Sequence, residues 1–413
     1  MKKGSLPLIG LTVTALSITA CVQQIWQVTY EGPDQHFSEF HELTQDSSGN
    51  LVVLAEIKTP DSNNSSQAIL KYDSQGNLIW ETIIPHVFNF DGFSGKDFIA
   101  TSPDNHIFTA GITIGEGNKL TLLNEDGDIQ WTNVIGYGFQ EPSILFDIEA
   151  TYDNQFLALG LYPDYNLVSY NEDGDVLWEN DGGSRLDAFN INRPPQAMGE
   201  VVVNTNNDIF FSNGSAINKL NTDGETTARI TTNDLDVGYI VDIDASDDQL
   251  AVLSMGNGIT KISILDNNLN VIESRTVTMG YSTGQLAISN NGNVCVSFQN
   301  GIVPGFRYVN GEMNADIGWV WADSKHIVED IREIRSVSAI QNSCRITMIH
   351  SLEDTTISET TINNGRLQIS DTIKKSGFAS FNTYSNDSGF YSLGFTSSDT
   401  QENLAQMFKY TFK

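Results

Sequence analysis

The sequence predicts an all-β chain, folded as a single eight-bladed β-propeller of four-stranded antiparallel blades. Three observations support this fold class. Short segments rich in Val, Ile, Thr and aromatic residues alternate with turns of Asp, Asn and Gly, which is typical of β-hairpins. A pattern of four such segments recurs along the 413-residue chain. The pattern also begins with one isolated strand and ends one strand short, so the two ends together complete a repeat.

Residues 97–135 show the repeat best. Its four predicted strands are Asp97–Ser102, His106–Thr113, Lys119–Asn124 and Asp128–Ile135. Between the third and fourth strands, Gly127 supplies the positive φ that a tight hairpin turn requires. The same hairpin is predicted around Gly76, Gly174, Gly224, Asn267-Asn268, Gly311 and Gly365.

The two ends of the chain are predicted to meet. Ile25–Tyr30 matches the fourth strand of later repeats, and Leu404–Tyr410 is the third strand of the last repeat. Pairing of these segments closes a ring and removes exposed sheet edges. Division of residues 21–413 by eight gives about 49 residues per blade. One fourth-strand position carries a tryptophan in four repeats: Trp26, Trp80, Trp131 and Trp178.

The recurrence of these tryptophans predicts packing between adjacent blades; the alternative is an aromatic platform for a ligand. The Asn-Glu-Asp-Gly-Asp turns at 124–128 and 171–175 look somewhat like calcium loops. They lack the distal Glu of such a loop, so turn chemistry is the interpretation that we favour.

Residues 1–20 have the charge layout of an export signal. Lys2 and Lys3 precede the apolar run Leu6–Ala20, which is shorter than the roughly 20 residues of a spanning helix. The run ends in Ile18-Thr19-Ala20-Cys21, which resembles the signal of bacterial lipoproteins.

This resemblance implies cleavage before Cys21, a diacylglyceryl thioether on its sulfur and an acyl chain such as palmitate on its new amine. Val22 and Gln23 follow the cysteine, where an inner-membrane retention signal has Asp. The resemblance therefore implies an outer-membrane lipoprotein of a Gram-negative bacterium, with residues 21–413 as the propeller. An ordinary cleaved signal followed by a chance cysteine is the alternative.

Composition and motifs restrict the function. With 52 acidic and 22 basic residues, the formal charge of −30 argues against sequence-independent binding to nucleic acid or to anionic lipid. Gly280-Tyr281-Ser282-Thr283-Gly284 matches a hydrolase nucleophile pattern, but predicted strands flank it and no helix follows. The six histidines form no pair at metal-ligand spacing and no glycine loop suits a phosphate. We expect no metal and no cofactor, although residues from several blades can still assemble a catalytic site.

The turn-and-strand sequences also resemble a known family. LKYDSQGNLIW (Leu70–Trp80) and LLNEDGDIQW (Leu122–Trp131) are similar to blades of bacterial propellers with quinoprotein-like repeats. With the lipoprotein signal, the whole chain resembles the propeller lipoprotein of the outer-membrane barrel-assembly machine.

An acidic residue is predicted at the start of the first strand in five consecutive repeats: Glu39, Asp97, Asp147, Glu200 and Asp242. First strands line the central channel of a propeller. One interpretation is an acidic arc for a cation or a basic partner segment. The other, which we favour, is that each carboxylate accepts backbone N–H bonds from the next blade.

Three long segments that enter first strands are predicted to form the binding face: Pro85–Lys96, Gly136–Leu145 and Asp181–Met198. Long loops on a rigid scaffold concentrate binding residues, and aromatic and Arg side chains anchor protein interfaces. The candidates are Phe88, Phe90, Phe93, Tyr137, Phe139, Arg185, Phe189 and Arg193. The alternative is that the aromatic rings fold inward and hold their own loops.

Cys295 and Cys344 lie in neighbouring repeats of a chain destined for an oxidising compartment, so a disulfide is allowed, although we expect two buried thiols.

For function, we expect a non-enzymatic lipoprotein that binds a partner protein or an envelope polymer. The alternatives are a structural subunit of an assembly complex and an envelope enzyme, either a quinoprotein dehydrogenase or a polysaccharide-active hydrolase. Fold alone decides none of these.

Overall fold

The computed structural model describes most strands of the chain and their tight turns. The described residues are 23–30, 37–58, 65–85, 87, 98–113, 117–135, 144–161, 166–182, 199–256, 258–278, 284–300, 307–314, 318–323, 333–340, 343–351, 354–363, 366–376, 379–386, 389–396 and 404–411. They form an all-β structure of four-stranded antiparallel sheets, eight of which lie in the described part of the chain.

We number the sheets in chain order. The isolated first strand is β1 (Gln23–Tyr30). Sheet 1 contains β2 (Phe37–Gln45), β3 (Leu51–Lys58), β4 (Ser65–Tyr72) and β5 (Leu78–Pro85). Sheet 2 contains β6 (Ile99–Thr101), β7 (Ile107–Thr113), β8 (Gly117–Leu123) and β9 (Ile129–Ile135). Sheet 3 contains β10 (Ile144–Ala150), β11 (Phe156–Leu161), β12 (Asn166–Tyr170) and β13 (Val176–Asn180). Sheet 4 contains β14 (Glu200–Val203), β15 (Ile209–Ser212), β16 (Ala216–Leu220) and β17 (Thr226–Thr231).

The remaining sheets follow the same plan. Sheet 5 contains β18 (Tyr239–Ala245), β19 (Gln249–Gly256), β20 (Ile259–Asp266) and β21 (Val271–Thr278). Sheet 6 contains β22 (Gly284–Ile288), β23 (Val294–Asn300), β24 (Arg307–Asn314) and β25 (Gly318–Asp323). Sheet 7 contains β26 (Glu333–Ile340), β27 (Ser343–Ser351), β28 (Asp354–Asn363) and β29 (Arg366–Ser376). Sheet 8 contains β30 (Ala379–Asn386), β31 (Gly389–Thr396), β32 (Leu404–Thr411) and β1.

Sheet 8 joins the two ends of the chain, as the sequence predicts. β1 pairs antiparallel with β32, and Val28 lies opposite Met407. The first strand of each sheet contacts the first strand of the next, and β30 of sheet 8 contacts β2 of sheet 1. The first strands therefore form a continuous series of neighbours.

One predicted turn is wrong, and one helix was not predicted. Gly311 lies inside β24, opposite Val296 and Trp321, so the turn predicted around it is wrong. A short helix, α1 (Thr232–Leu235), follows β17; Thr231 caps it through a capping box with Asp234. Within the described residues, no helix has the length and apolar character needed to cross a membrane.

The turns between third and fourth strands share one hydrogen-bonding pattern. In sheet 1, Asp73 Oδ1 accepts the N–H groups of Gln75 and Asn77 at 2.8 and 2.9 Å. The Asn77 side-chain amide, followed by the Asn77 N–H, holds the pKa of Asp73 below its usual range. The same pattern occurs in turns that begin at Asn124, Asn171, Asn221 and Asp266. The fourth residue of each turn has a positive φ, supplied by Gly in four turns and by Leu269 in the fifth.

Each of the four repeated tryptophans lies on a turn glycine of the next sheet. The Trp178 indole packs so closely on Gly224 that a Cβ there would collide with the ring. Trp178 Nε1 also donates to the carbonyl of Thr222 at 3.0 Å. The same contact joins Trp26 to Gly76, Trp80 to Gly127 and Trp131 to Gly174. The prediction that these tryptophans pack between adjacent repeats is therefore confirmed.

The core lies between the faces of neighbouring sheets. One apolar cluster combines Ile69 of sheet 1, Phe108 of sheet 2 and Phe156 of sheet 3, all fully buried. Phe108 and Phe156 have ring centroids 5.5 Å apart. In sheets 1 to 5 the fourth strand is more exposed than the inner three, as expected for the outer rim of such an arrangement.

A disulfide joins sheets 6 and 7. Cys295 of β23 and Cys344 of β27 are both buried, their Cα atoms lie 5.7 Å apart, and their sulfurs are bonded. The expectation of two buried thiols is therefore wrong. The two cysteines are 49 residues apart in the sequence, about one repeat, and each occupies the second strand of its sheet.

Candidate functional site

The acidic residues of the first strands connect one sheet to the next. Asp147 Oδ2 accepts the Val201 N–H at 2.7 Å, and Asp242 Oδ2 accepts the Leu286 N–H at 2.7 Å. Between them, Glu200 Oε2 accepts the N–H of Ile243 at 2.7 Å. A carboxylate that accepts a backbone N–H in a buried site makes a strong, charge-assisted bond. For these three acids, the interpretation that each carboxylate accepts a backbone N–H bond from the next repeat is confirmed, and we call these bonds the carboxylate ties. The predicted place at the start of the first strand is right for Glu200 and wrong for Asp147 and Asp242, which lie inside β10 and β18.

In sheet 1 the tie is made by a different residue from the one predicted. Glu42, not Glu39, accepts the N–H of Phe98 at 2.8 Å. The register of β2 and β3 shifts between Phe40 and Glu42, so an extra residue, His41, is inserted at that point. This bulge moves Glu42 into the position that Asp147 and Asp242 occupy after the bulges of their own strands. Asp97, the fifth predicted acid, lies outside the described residues.

An acidic cavity of about 200 Å³ opens on the first strands of sheets 3, 4, 5 and 6. Its acidic lining residues are Asp147, Glu149, Glu200 and Asp244. Asp244 also connects sheets, because its Oδ2 accepts the Ile288 N–H at 2.8 Å. Apolar atoms of Val201, Val203, Ala245 and Leu286 complete the wall. The negative potential of this wall favours a cationic group.

A second group of polar side chains lies on sheet 1. Glu39 and Glu56 are directly opposite one another in the pairing of β2 with β3. His41 Nε2 lies 3.9 Å from Glu39 Oε2 and 3.5 Å from Glu56 Oε2. The spacing of histidines in the sequence does not indicate this group, because the group contains only one histidine and because Glu56 comes from another strand. The alternation Glu39-x-His41 on one strand was the available signal.

The residues predicted to bind a partner remain predictions. Phe88, Phe90 and Phe93 fall outside the described residues, as do Tyr137 and Phe139. The same is true of Arg185, Phe189, Arg193 and the predicted lipidation site, Cys21. What the structure does place is the strand that follows one of these segments, because β14 begins at Glu200, and Glu200 lines the acidic cavity.

Comparison with known proteins identifies the fold. No protein-family model matches the chain, and no curated protein matches its sequence. The WD40 domain of SCAP from fission yeast is 10% identical, with a TM-score of 0.55 over 95% of this chain and 98% of that one. The quinohemoprotein alcohol dehydrogenase of Comamonas testosteroni is 12% identical, with a TM-score of 0.54 over 94% of this chain and 76% of that one. Both similar structures are β-propellers, and the chain has a β-propeller fold.

Proposed function

We propose that the chain is a lipid-anchored, eight-bladed β-propeller of the bacterial outer membrane that binds a partner protein or envelope polymer without catalysis. In this proposal the eight described sheets are the blades. The pairing of β1 with β32 and the contact of β30 with β2 support a closed ring. Closure leaves no exposed sheet edge at the ends of the chain.

The anchor proposal rests on the Ile18–Cys21 motif and on the position of β1. Only Val22 separates Cys21 from Gln23, the first residue of β1. Two residues of extended chain span about 7 Å. A lipid on Cys21 therefore holds the outer edge of sheet 8 at the membrane surface.

The acidic cavity is the observation that carries the binding proposal. Its volume of about 200 Å³ is below the roughly 300–1,000 Å³ of typical ligand clefts, so it suits a single inserted side chain better than a substrate with a cofactor. Its carboxylates favour a Lys or Arg of a partner. The segment that carries Arg185, Phe189 and Arg193 ends where this wall begins, at Glu200.

Crosslinking followed by affinity recovery from membranes tests this proposal. Phe90→Ala, Phe139→Ala, Arg185→Ala and Arg193→Ala, made singly, are expected to reduce the recovery of a crosslinked partner. Tyr152→Ala is the matched aromatic control, because Tyr152 is 51% exposed in a turn between first and second strands, at the other end of the sheet. Arg275→Ala on the exposed face of β21 is the matched Arg control.

Three results would contradict the proposal. Full recovery in all four variants, combined with loss in Tyr152→Ala, would place binding on the short-turn face. A quinone absorbance that copurifies with the chain would favour a dehydrogenase. Absence of labelled palmitate from the wild-type chain in an exporting host, with no difference from Cys21→Ser, would remove the anchor.

A further inference from the structure

Sheet 1 brings together three side chains that have the atoms and the spacing of a metal site. Glu39 and His41 come from β2 and Glu56 comes from β3. One donor atom from each lies within 4.8 Å of the other two. Donor atoms around a tetrahedral ion with bonds of about 2.1 Å are about 3.4 Å apart. The separations of 3.5 and 3.9 Å from His41 Nε2 are close to that value.

The backbone explains why these three groups converge. Glu39 and Glu56 are paired across β2 and β3, and like charges directly opposite one another destabilise a sheet. The bulge between Phe40 and Glu42 inserts His41 beside them. Bulges commonly redirect a side chain towards a functional position. A divalent cation between the two carboxylates would neutralise both.

The exposed fractions of the three side chains suit an ion that is bound firmly and that solvent can still reach. The Glu56 side chain is 3% exposed, whereas those of Glu39 and His41 are 14% and 19% exposed. The buried carboxylate provides a fixed ligand, and the partly exposed pair provides an entry path. Three protein ligands leave a coordination position for water.

We propose that Glu39, His41 and Glu56 bind a divalent transition-metal ion. One imidazole and two carboxylates suit Zn²⁺, Mn²⁺ or Fe²⁺, whereas Ca²⁺ and Mg²⁺ prefer sites made of oxygen atoms alone. Among the transition metals, Zn²⁺ is expected to bind more tightly than Mn²⁺. The proposal concerns sheet 1 and does not depend on the partner-binding face.

Calorimetric titration of the full chain with Zn²⁺, after removal of metal with a chelator, tests the site. One Zn²⁺ per chain is expected, with a rise in melting temperature. His41→Ala and Glu56→Gln are each expected to weaken binding by more than the roughly 10–100-fold that the loss of a second-shell partner costs. Glu39→Gln, at a partly exposed position, provides a variant whose folding is less at risk.

Two control variants separate this site from general metal binding. His106→Gln removes a histidine from sheet 2, and Glu149→Gln removes a carboxylate from the acidic cavity; both should bind Zn²⁺ as the wild type does. Co²⁺ provides a second readout, since its visible absorption should appear in the wild type and disappear in His41→Ala. The absence of Zn²⁺ binding by the wild type would show that the cluster is only an ion pair. Equal binding by wild type, His41→Ala and Glu39→Gln would show that the metal lies elsewhere, and either result overturns the proposal.

Discussion

Two junctions between sheets solve the same packing problem in opposite ways. Where sheet 3 meets sheet 4, the large side chain is Trp178 on the fourth strand, and the small one is Gly224 in the turn. Where sheet 4 meets sheet 5, the strand carries Ala228 at the position equivalent to Trp178, and the turn carries Leu269 in place of glycine. Leu269 is 4% exposed, and Ala228 packs against the cluster that contains it.

The two junctions share the combined volume of the fourth-strand and turn side chains, rather than the identity of either residue. Interiors are close-packed, so a large residue on one surface requires a small one on the other. The exchange has a conformational cost, because Leu269 has φ of 62°, a left-handed conformation that costs a non-glycine residue about 1–2 kcal/mol. Sheets 6 and 7 are connected at a different position, between their second strands, by the disulfide of Cys295 and Cys344.

Removal of the disulfide is expected to have the largest effect. Cys295→Ala combined with Cys344→Ala should lower the free energy of unfolding by about 4 kcal/mol, because the bridge closes a loop whose ends are 49 residues apart and so restricts the unfolded chain. Guanidinium unfolding with and without reductant measures this. Reductant should destabilise the wild type and leave the double variant unchanged; equal stability of the oxidised wild type and the double variant would contradict the prediction.

Substitutions that convert the Trp178–Gly224 junction into the Ala228–Leu269 arrangement are expected to have the next largest effect on the free energy of unfolding. Gly224→Leu alone should destabilise by about 3 kcal/mol, because it adds left-handed strain and overpacks the Trp178 ring. Gly224→Leu with Trp178→Ala recreates the Ala228–Leu269 arrangement, so the double variant should be more stable than the sum of the two single effects. A double-mutant cycle by urea unfolding measures the coupling, and strict additivity would refute volume complementarity.

The carboxylate ties should contribute less. Asp147→Ala leaves the buried N–H of Val201 without its acceptor and should cost about 2 kcal/mol. Asp223→Asn, in an exposed turn, is the control and should change the unfolding free energy by less than about 0.5 kcal/mol. Similar small effects of both variants would show that the tie contributes little.

The smallest expected effect is on the pH dependence of stability. It distinguishes a turn that begins with Asp from a turn that begins with Asn. The pKa of Asp73 is lowered in the folded state by the Asn77 side-chain amide, so its stabilising contribution is present above the unfolded pKa of about 3.9 and is lost as the pH falls through the folded value. Asp73→Asn should therefore flatten the stability profile below about pH 4. Thermal melting at pH 7 and pH 3 measures this. An unchanged acid response would contradict the prediction.

Parts of the candidate site could be predicted from the sequence, and parts could not. The ties through Asp147, Glu200 and Asp242 follow from an acid that recurs in five consecutive repeats. Glu39 was misassigned because β2 carries two acids, Glu39 and Glu42, and only the register of the strands shows which of them reaches the next sheet. Glu56 was missed because its partners are 15 and 17 positions earlier in the sequence, on the neighbouring strand.

Local sequence alone predicts the strand succession, the tryptophan contacts between sheets and the turns, with the exception of the one at Gly311. These depend on local chemistry, since an Asp or Asn side chain accepts backbone bonds from its own turn and Gly permits a positive φ. The disulfide, the displacement of the tie from Glu39 to Glu42 and the convergence of His41 with Glu56 were decided only by tertiary structure. Each depends on the register or spacing of backbone segments that are distant in sequence, and a shift of one residue reverses which face a side chain occupies.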